Sequence, residues 1–262
     1  MEIVCQQDDR MIDRKELRKL HKVELPLHIL EQDYIQALFL TELYATSENI
    51  VFKGGTFLKH AYGLDRFSED MDFTARDDKF RDSLQKASEG LKDYGIENIL
   101  IEDKDTKNSY KGKLVYKGPL YTGEEKTKGR VEIEISKRED IFLSPEWIRL
   151  FFVYPETRVV NCLGLQEREV FSEKLRALSS RSKARDLYDV WFLMQQGLEP
   201  DLELFEKKMK VIGDETAVRI DTTAEEWSQD LQILLENPPA FSKVRTEVIK
   251  NLNEKGFNVV EI

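Results

Sequence analysis

Residues 49–63, NIVFKGGTFLKHAYG, constrain the fold more than any other stretch of the chain. Ile50, Val51 and Phe52 read as a short strand that passes through Gly54-Gly55 into a helix, with Thr56 the expected cap and Gly63 the expected stop. The first-turn N–H groups of such a helix have no intrahelical partner, and glycine lets a ligand come close to the backbone, so the turn can receive an anion. Taken alone, the plainer reading is a tight turn with glycine chosen for its φ angle.

The next strand changes that balance. In DMDFTA, alternation sends Met71 and Phe73 into the core and projects Asp70 and Asp72 from one face. Two carboxylates so close repel, and the simplest way to keep both ionised is a cation beside them. Hard oxygen donors suit Mg²⁺ or Mn²⁺, whose remaining coordination positions go to water and substrate phosphates. Further on, RVEIEIS puts Val131, Ile133 and Ile135 on one face and Glu132 and Glu134 on the other, which makes Glu134 the candidate third metal ligand. An anion-binding turn and a metal-binding pair are together what metal-assisted phosphoryl or nucleotidyl transfer requires.

The rest of the chain divides in two. Leu27–Ala45 has helical spacing behind Pro26, residues 79–94 read as a helix, and residues 96–136 alternate as strands. After one more strand in TRVVNCLGL, helix patterns dominate from Gln166, and Thr223 with Glu226 forms a capping box before EWSQDLQILLE. The expectation is an α+β core over 1–165 followed by a helical part over 166–262. In SEKLRALSSRSKARDLYDVW, the face of Phe171, Leu175 and Leu178 leaves Lys174 off the core side, able to clamp a polyphosphate. Asp186 and Asp189 share a face of the following helix and can orient that lysine, a metal or an attacking hydroxyl; ion pairing within a helical hairpin is the bland alternative.

Charge narrows the partners. A net charge of -10 argues against a general nucleic-acid coat. Local exceptions are Lys104, Lys107, Lys111, Lys113, Lys117, Lys126, Lys128 and Arg130, interleaved with Tyr110, Tyr116 and Tyr121. They read either as a solvated hairpin or as a surface on which phosphates and bases bind. No apolar run approaches a membrane span, the start lacks the order of a secretory signal, and Cys5 and Cys162 are read as free thiols, all consistent with a cytoplasmic chain.

The motifs FKGGTFLKHAY, RFSEDMDF, EKLRAL and RDLYDVW in that order resemble the AbiEii/AbiGii nucleotidyltransferase toxin family of the DNA polymerase β-like superfamily. The resemblance runs from EQDYIQALFL to the helical end. It implies a nucleotidyltransferase-fold mixed sheet flanked by helices, with the Gly-Gly-Thr turn on the triphosphate of an NTP and Asp70 and Asp72 on Mg²⁺ or Mn²⁺. The family's later motifs fall on Lys174 and Asp189, accompanied by Asp186. Lys53, Gly54, Gly55, Thr56, Arg66, Ser68 and Lys174 are then the candidate nucleotide-binding residues, with Ser68 also a structural cap. Asp70, Asp72, Lys174 and Asp189 are the catalytic ones. The resemblance further implies transfer of an NMP to an acceptor hydroxyl on RNA, tRNA for some members, or on protein, and a cognate antitoxin. The rivals are a nucleotide- or protein-binding module that has lost turnover, and a kinase-like phosphotransferase.

Overall fold

The computed structural model describes residues 11–138 and 141–261, so Cys5 lies outside the described residues. In chain order the elements are α1 (Arg14–His21), α2 (Leu27–Thr46), β1 (Ile50–Lys53), α3 (Gly54–Tyr62), β2 (Asp70–Ala75), α4 (Phe80–Gly90), β3 (Glu97–Asp105), β4 (Ser109–Lys117) and β5 (Gly129–Ser136). They continue with β6 (Glu146–Leu150), β7 (Val160–Gly164), α5 (Glu167–Arg181), α6 (Ala184–Gln195), α7 (Leu202–Ile212), β8 (Ala217–Ile220), α8 (Ala224–Leu231), α9 (Phe241–Glu254) and β9 (Asn258–Glu261). The fold is α+β, a large mixed sheet flanked by helices. Two compact units interleave along the chain: residues 11–52, 68–138 and 147–163 form one, and residues 53–67, 141–146 and 164–261 form the other.

The first unit is organised by a seven-stranded sheet in the order β3-β4-β5-β2-β1-β7-β6. β2 lies parallel to β5, whereas β3, β4 and β5 form an antiparallel meander. Alternation holds as the sequence predicts: Met71, Phe73, Val131, Ile133 and Ile135 are buried, and the intervening residues are acidic. α2 packs against α1, α4 and β5, and it is buried on every side. Its polar core residues therefore need partners. Glu31 accepts from the Leu120 N–H at 2.6 Å, Asp33 accepts from the Tyr154 hydroxyl at 2.7 Å, and the Gln36 amide donates to two backbone carbonyls.

The second unit is mainly helical, with α5 packed on α6, α7 and β8, and α6 on α8 and α9. The capping box of Thr223 and Glu226 is present, but α8 ends at Leu231, five residues before the end of EWSQDLQILLE. A parallel β8–β9 pair joins residues some forty positions apart, a pairing that local pattern does not announce. α3 also differs from expectation. It begins at Gly54, with Lys53 as the residue preceding it, so Thr56 lies inside the first turn instead of capping it; Gly63 does end the helix, at φ 74°. Gly54 has φ 80°, a left-handed conformation in which a side chain is strained. Among the described residues, no helix is long and apolar enough to cross a membrane.

Candidate active site

In the first unit, the register of β2 against β5 sets Asp70 opposite Glu132 and Asp72 opposite Glu134. Residues directly opposite share a face, so four carboxylates lie on one side of two neighbouring strands, with Asp70 and Asp72 half-buried. β4 extends both rows: Lys113 pairs with Glu132 and Lys111 with Glu134. Lys111 is ion-paired to Glu134, whereas Lys113 lies 2.5 Å from Asp103 and 3.7 Å from Glu132. Hydrogen bonding to Glu134 is the main cause that raises the pKa of Lys111, with Asp70 among the smaller contributors. The pair of hard oxygen donors at 70 and 72 fits a divalent cation. Among the described residues, no three His, Cys, Asp or Glu side chains are already arranged as a metal cage, and Glu134 is held by Lys111.

In the second unit, the first turn of α3 begins at Gly54-Gly55-Thr56, with Gly55 and Thr56 buried. Elsewhere in that unit Asp189 receives two cations. The Arg66 guanidinium binds it through two atoms, Nε at 2.6 Å and Nη2 at 2.7 Å, and Lys174 Nζ lies at 2.7 Å. These side chains are 0% exposed for Asp189, 3% for Arg66 and 8% for Lys174, so the cluster is desolvated. Burial raises the Asp189 carboxyl, but Arg66 and Lys174 outweigh it and hold its pKa below the ordinary value. Arg66 Nη1 also donates to the Phe67 carbonyl at 2.8 Å, and the Tyr188 hydroxyl donates to Asp65 at 2.5 Å, so two adjacent residues of α6 bind two adjacent residues of the segment after α3.

Several sequence expectations change with this placement. Lys174 is buried against Asp189, since α5 hides more than the face of Phe171, Leu175 and Leu178. Arg66 is a clamp on Asp189 and on the Phe67 carbonyl. Asp186 is hydrogen-bonded by Arg181 at 2.6 and 2.7 Å and contributes to that cluster only through its charge near Arg66. Ser68 is half-buried, and its carbonyl accepts from Gln36. Most of the lysine-rich segment is neutralised: of its eight cations, Lys111, Lys113, Lys117, Lys126 and Lys128 pair with carboxylates, and Tyr110 and Tyr116 are buried where they cannot stack on bases. The solvated-hairpin reading therefore describes it better than a phosphate track.

A second charged cluster went unread in the sequence. Lys208 on α7 is ion-paired to Glu169 and lies 2.6 Å from Glu173 on α5. Burial raises the Glu173 pKa, but Lys53, Lys208 and Arg176 together bring it down to about 2. Glu173 thus links α7 electrostatically to the residue that precedes the glycine turn.

The profile of the nucleotidyl transferase AbiEii toxin family, from type IV toxin–antitoxin systems, matches residues 37–252. The chain belongs to the AbiEii family. It is accordingly a nucleotidyltransferase of the toxin–antitoxin class, and the resemblance read from its motifs is borne out. No curated protein matches it significantly in sequence. Its fold is like that of MenT4, a nucleotidyltransferase toxin from Mycobacterium tuberculosis, with TM-score 0.70 and 19% identity over 92% of this chain and 88% of the other. It is also similar to JHP933 from Helicobacter pylori, with TM-score 0.55 and 21% identity over 88% of this chain and 96% of that one. The AbiEii match includes the glycine turn, both aspartates, Lys174 and Asp189, but begins one residue after Gln36. Gln36 had one signal in the sequence, an amide flanked by Tyr34-Ile35 and Ala37-Leu38-Phe39-Leu40 in the middle of the helix.

Proposed function

We propose that this AbiEii-family chain transfers an NMP from an NTP to an acceptor hydroxyl on RNA, with tRNA the leading candidate, and that an antitoxin counters it in the cell. The observation that carries the reading is the placement of Asp70 and Asp72 on one face of β2, in register with two further carboxylates of β5. Asp70 and Asp72 would hold Mg²⁺ or Mn²⁺, with Glu134, now paired to Lys111, the candidate third ligand. Bound there, the cation supplies charge neutralisation at the phosphates.

The chain's own groups divide the remaining work. First-turn amides of α3, at Gly54, Gly55 and Thr56, donate to phosphate oxygens, and Lys53 adds positive charge beside them. Lys174 gives one of its three N–H donors to Asp189, which holds the ammonium and leaves its other donors for phosphate oxygens. Asp189 is a weak base because its pKa is depressed, so it orients Lys174 and takes no proton from the acceptor. The acceptor oxygen forms a bond to the α-phosphorus, the bond from that phosphorus to the bridging oxygen breaks, pyrophosphate leaves with the electron pair, and the hydroxyl proton passes to solvent. Arg66 supports the nucleotide site through the Phe67 carbonyl it binds, and Ser68 through its own carbonyl, which Gln36 holds.

Incubation with α-labelled NTPs, Mg²⁺ and total RNA tests this directly. Label should enter RNA with wild type and fall at least a hundredfold in Asp70→Ala, a loss typical when an electrostatic partner of the transition state is removed. Transfer undiminished in Asp70→Ala would refute the assignment. With γ-labelled ATP, label on the acceptor would instead indicate a kinase-like reaction, and calorimetric NTP binding with no product under any acceptor would indicate a binding module.

A further inference from the structure

Gln36 lies at the middle of α2, fully buried between Ile35 and Ala37, in a helix whose other core-facing residues are mostly apolar. Burying a primary amide there is costly unless its hydrogen bonds are made. Its Nε2 donates to the carbonyl of Ser68 and to that of Glu69, both at 3.0 Å, so each amide proton has an acceptor. Because both partners are carbonyls, the orientation of the amide is fixed: the nitrogen, not the oxygen, must face them. The Gln36 Oε1 is buried with no hydrogen-bond partner among the described residues. A leucine or methionine of similar size would avoid that orphaned oxygen, so packing alone does not account for glutamine here.

The two carbonyls are those of the residues directly before the Asp70-x-Asp72 pair. The Glu69 carbonyl and the Asp70 N–H belong to one planar peptide group, so fixing the first fixes the plane from which Asp70 starts. We propose that Gln36 is a positioning residue for the metal-binding aspartates: it anchors the peptide planes at 68–70, so that Asp70 and Asp72 emerge on β2 with the spacing a divalent cation needs. The inference rests on the nucleotidyl-transfer reading above, and it assigns to the helix behind the sheet a part in the chemistry of the face in front.

The test uses full-length protein and three readouts: Mn²⁺ affinity without nucleotide, by electron paramagnetic resonance; kcat and KM for the NTP; and thermal midpoint. Gln36→Met keeps the length and removes both donors. It should weaken Mn²⁺ binding about tenfold and lower kcat roughly ten- to a hundredfold, the scale of a misplacement of about 1 Å, with KM for the NTP changed less than about twofold. A merely structural residue would lower the thermal midpoint and the amount of active enzyme, but would leave the Mn²⁺ affinity and kcat of the folded fraction alone. Gln36→Glu is the second variant. Its buried carboxyl is neutral and donates one hydrogen bond, so it should fall between wild type and Gln36→Met in both affinity and kcat. Mn²⁺ affinity and kcat within twofold of wild type in folded Gln36→Met would overturn the proposal, as would failure of both variants to fold, which would mark Gln36 as a core residue only. Asp72→Ala separates the two claims. If wild type and Asp72→Ala bind Mn²⁺ equally, the metal assignment itself is wrong; if Asp72→Ala loses Mn²⁺ and Gln36→Met does not, only the positioning role falls.

Discussion

Replacing Asp189 by Asn removes one negative charge from a place where two cations depend on it. The carboxylate accepts from Arg66 Nε at 2.6 Å, Arg66 Nη2 at 2.7 Å and Lys174 Nζ at 2.7 Å, with almost no solvent at any of the three groups. Asparagine keeps the shape, but its amide nitrogen must face a donor, and it leaves a guanidinium and an ammonium buried without a counter-charge. Breaking a buried pair in this way costs about 3–5 kcal/mol. At a urea dependence of about 2 kcal/mol/M, that moves the unfolding midpoint down by about 2 M. Intrinsic fluorescence reports it well, since Trp191 and Trp227 both belong to the second unit, where Trp191 bonds Glu247 at 2.6 Å. The acid limb should change too. Asp189 has a folded pKa depressed below 3.8, so its contribution is fully present above that value and is lost as pH falls through the lower, folded one. Asp189→Asn should therefore lose stability at neutral pH and show a shallower decline below about pH 4. Removing all three charges, as Arg66→Met with Lys174→Met and Asp189→Leu, should recover much of the loss. A single Asp189→Asn within about 1 kcal/mol of wild type, with the same acid limb, would refute a desolvated triad.

The carboxylate row and the glycine turn make two further substitutions informative. Lys111→Met releases Glu134 and should tighten Mn²⁺ binding in the absence of nucleotide about two- to fivefold, the scale of one exposed charge pair at up to about 1 kcal/mol; unchanged or weaker affinity by the same resonance titration would show that Lys111 does not restrain Glu134. Gly54→Ala forces a side chain into φ 80° and should cost about 1–2 kcal/mol and weaken NTP binding in calorimetry, whereas Gly63→Ala, at φ 74° with open space around its missing Cβ, should cost a similar amount and leave NTP binding unchanged.

Local periodicity made much of the fold legible. The alternation in DMDFTA and RVEIEIS correctly places Met71, Phe73, Val131, Ile133 and Ile135 in the core, though Thr74 is buried too, and Gly63 stops α3 through a backbone angle that glycine alone adopts cheaply. What the sequence hid depends on contacts between distant residues. Lys174 looked solvent-facing by helical phase because its partner, Asp189, sits on the next helix and is itself clamped by Arg66, more than a hundred positions earlier. The lysines of β4 looked like a cationic surface until register set Lys111 against Glu134 and Lys113 against Glu132. The β8–β9 pair escaped for the same reason: four-residue strands carry almost no signal until they meet.

The cross-strand charge ladder also bears on how an RNA chain would be received. On β4, Lys111, Lys113 and Lys117 are already matched by protein carboxylates, so a polyanion landing on that strand displaces those carboxylates instead of liberating condensed small ions. Little ion-release entropy is then gained at this face, and affinity carried by it should decline only gently as potassium chloride rises from 50 to 200 mM. Discrimination between acceptors would then rest on the shape of the RNA end and not on the pull of its backbone.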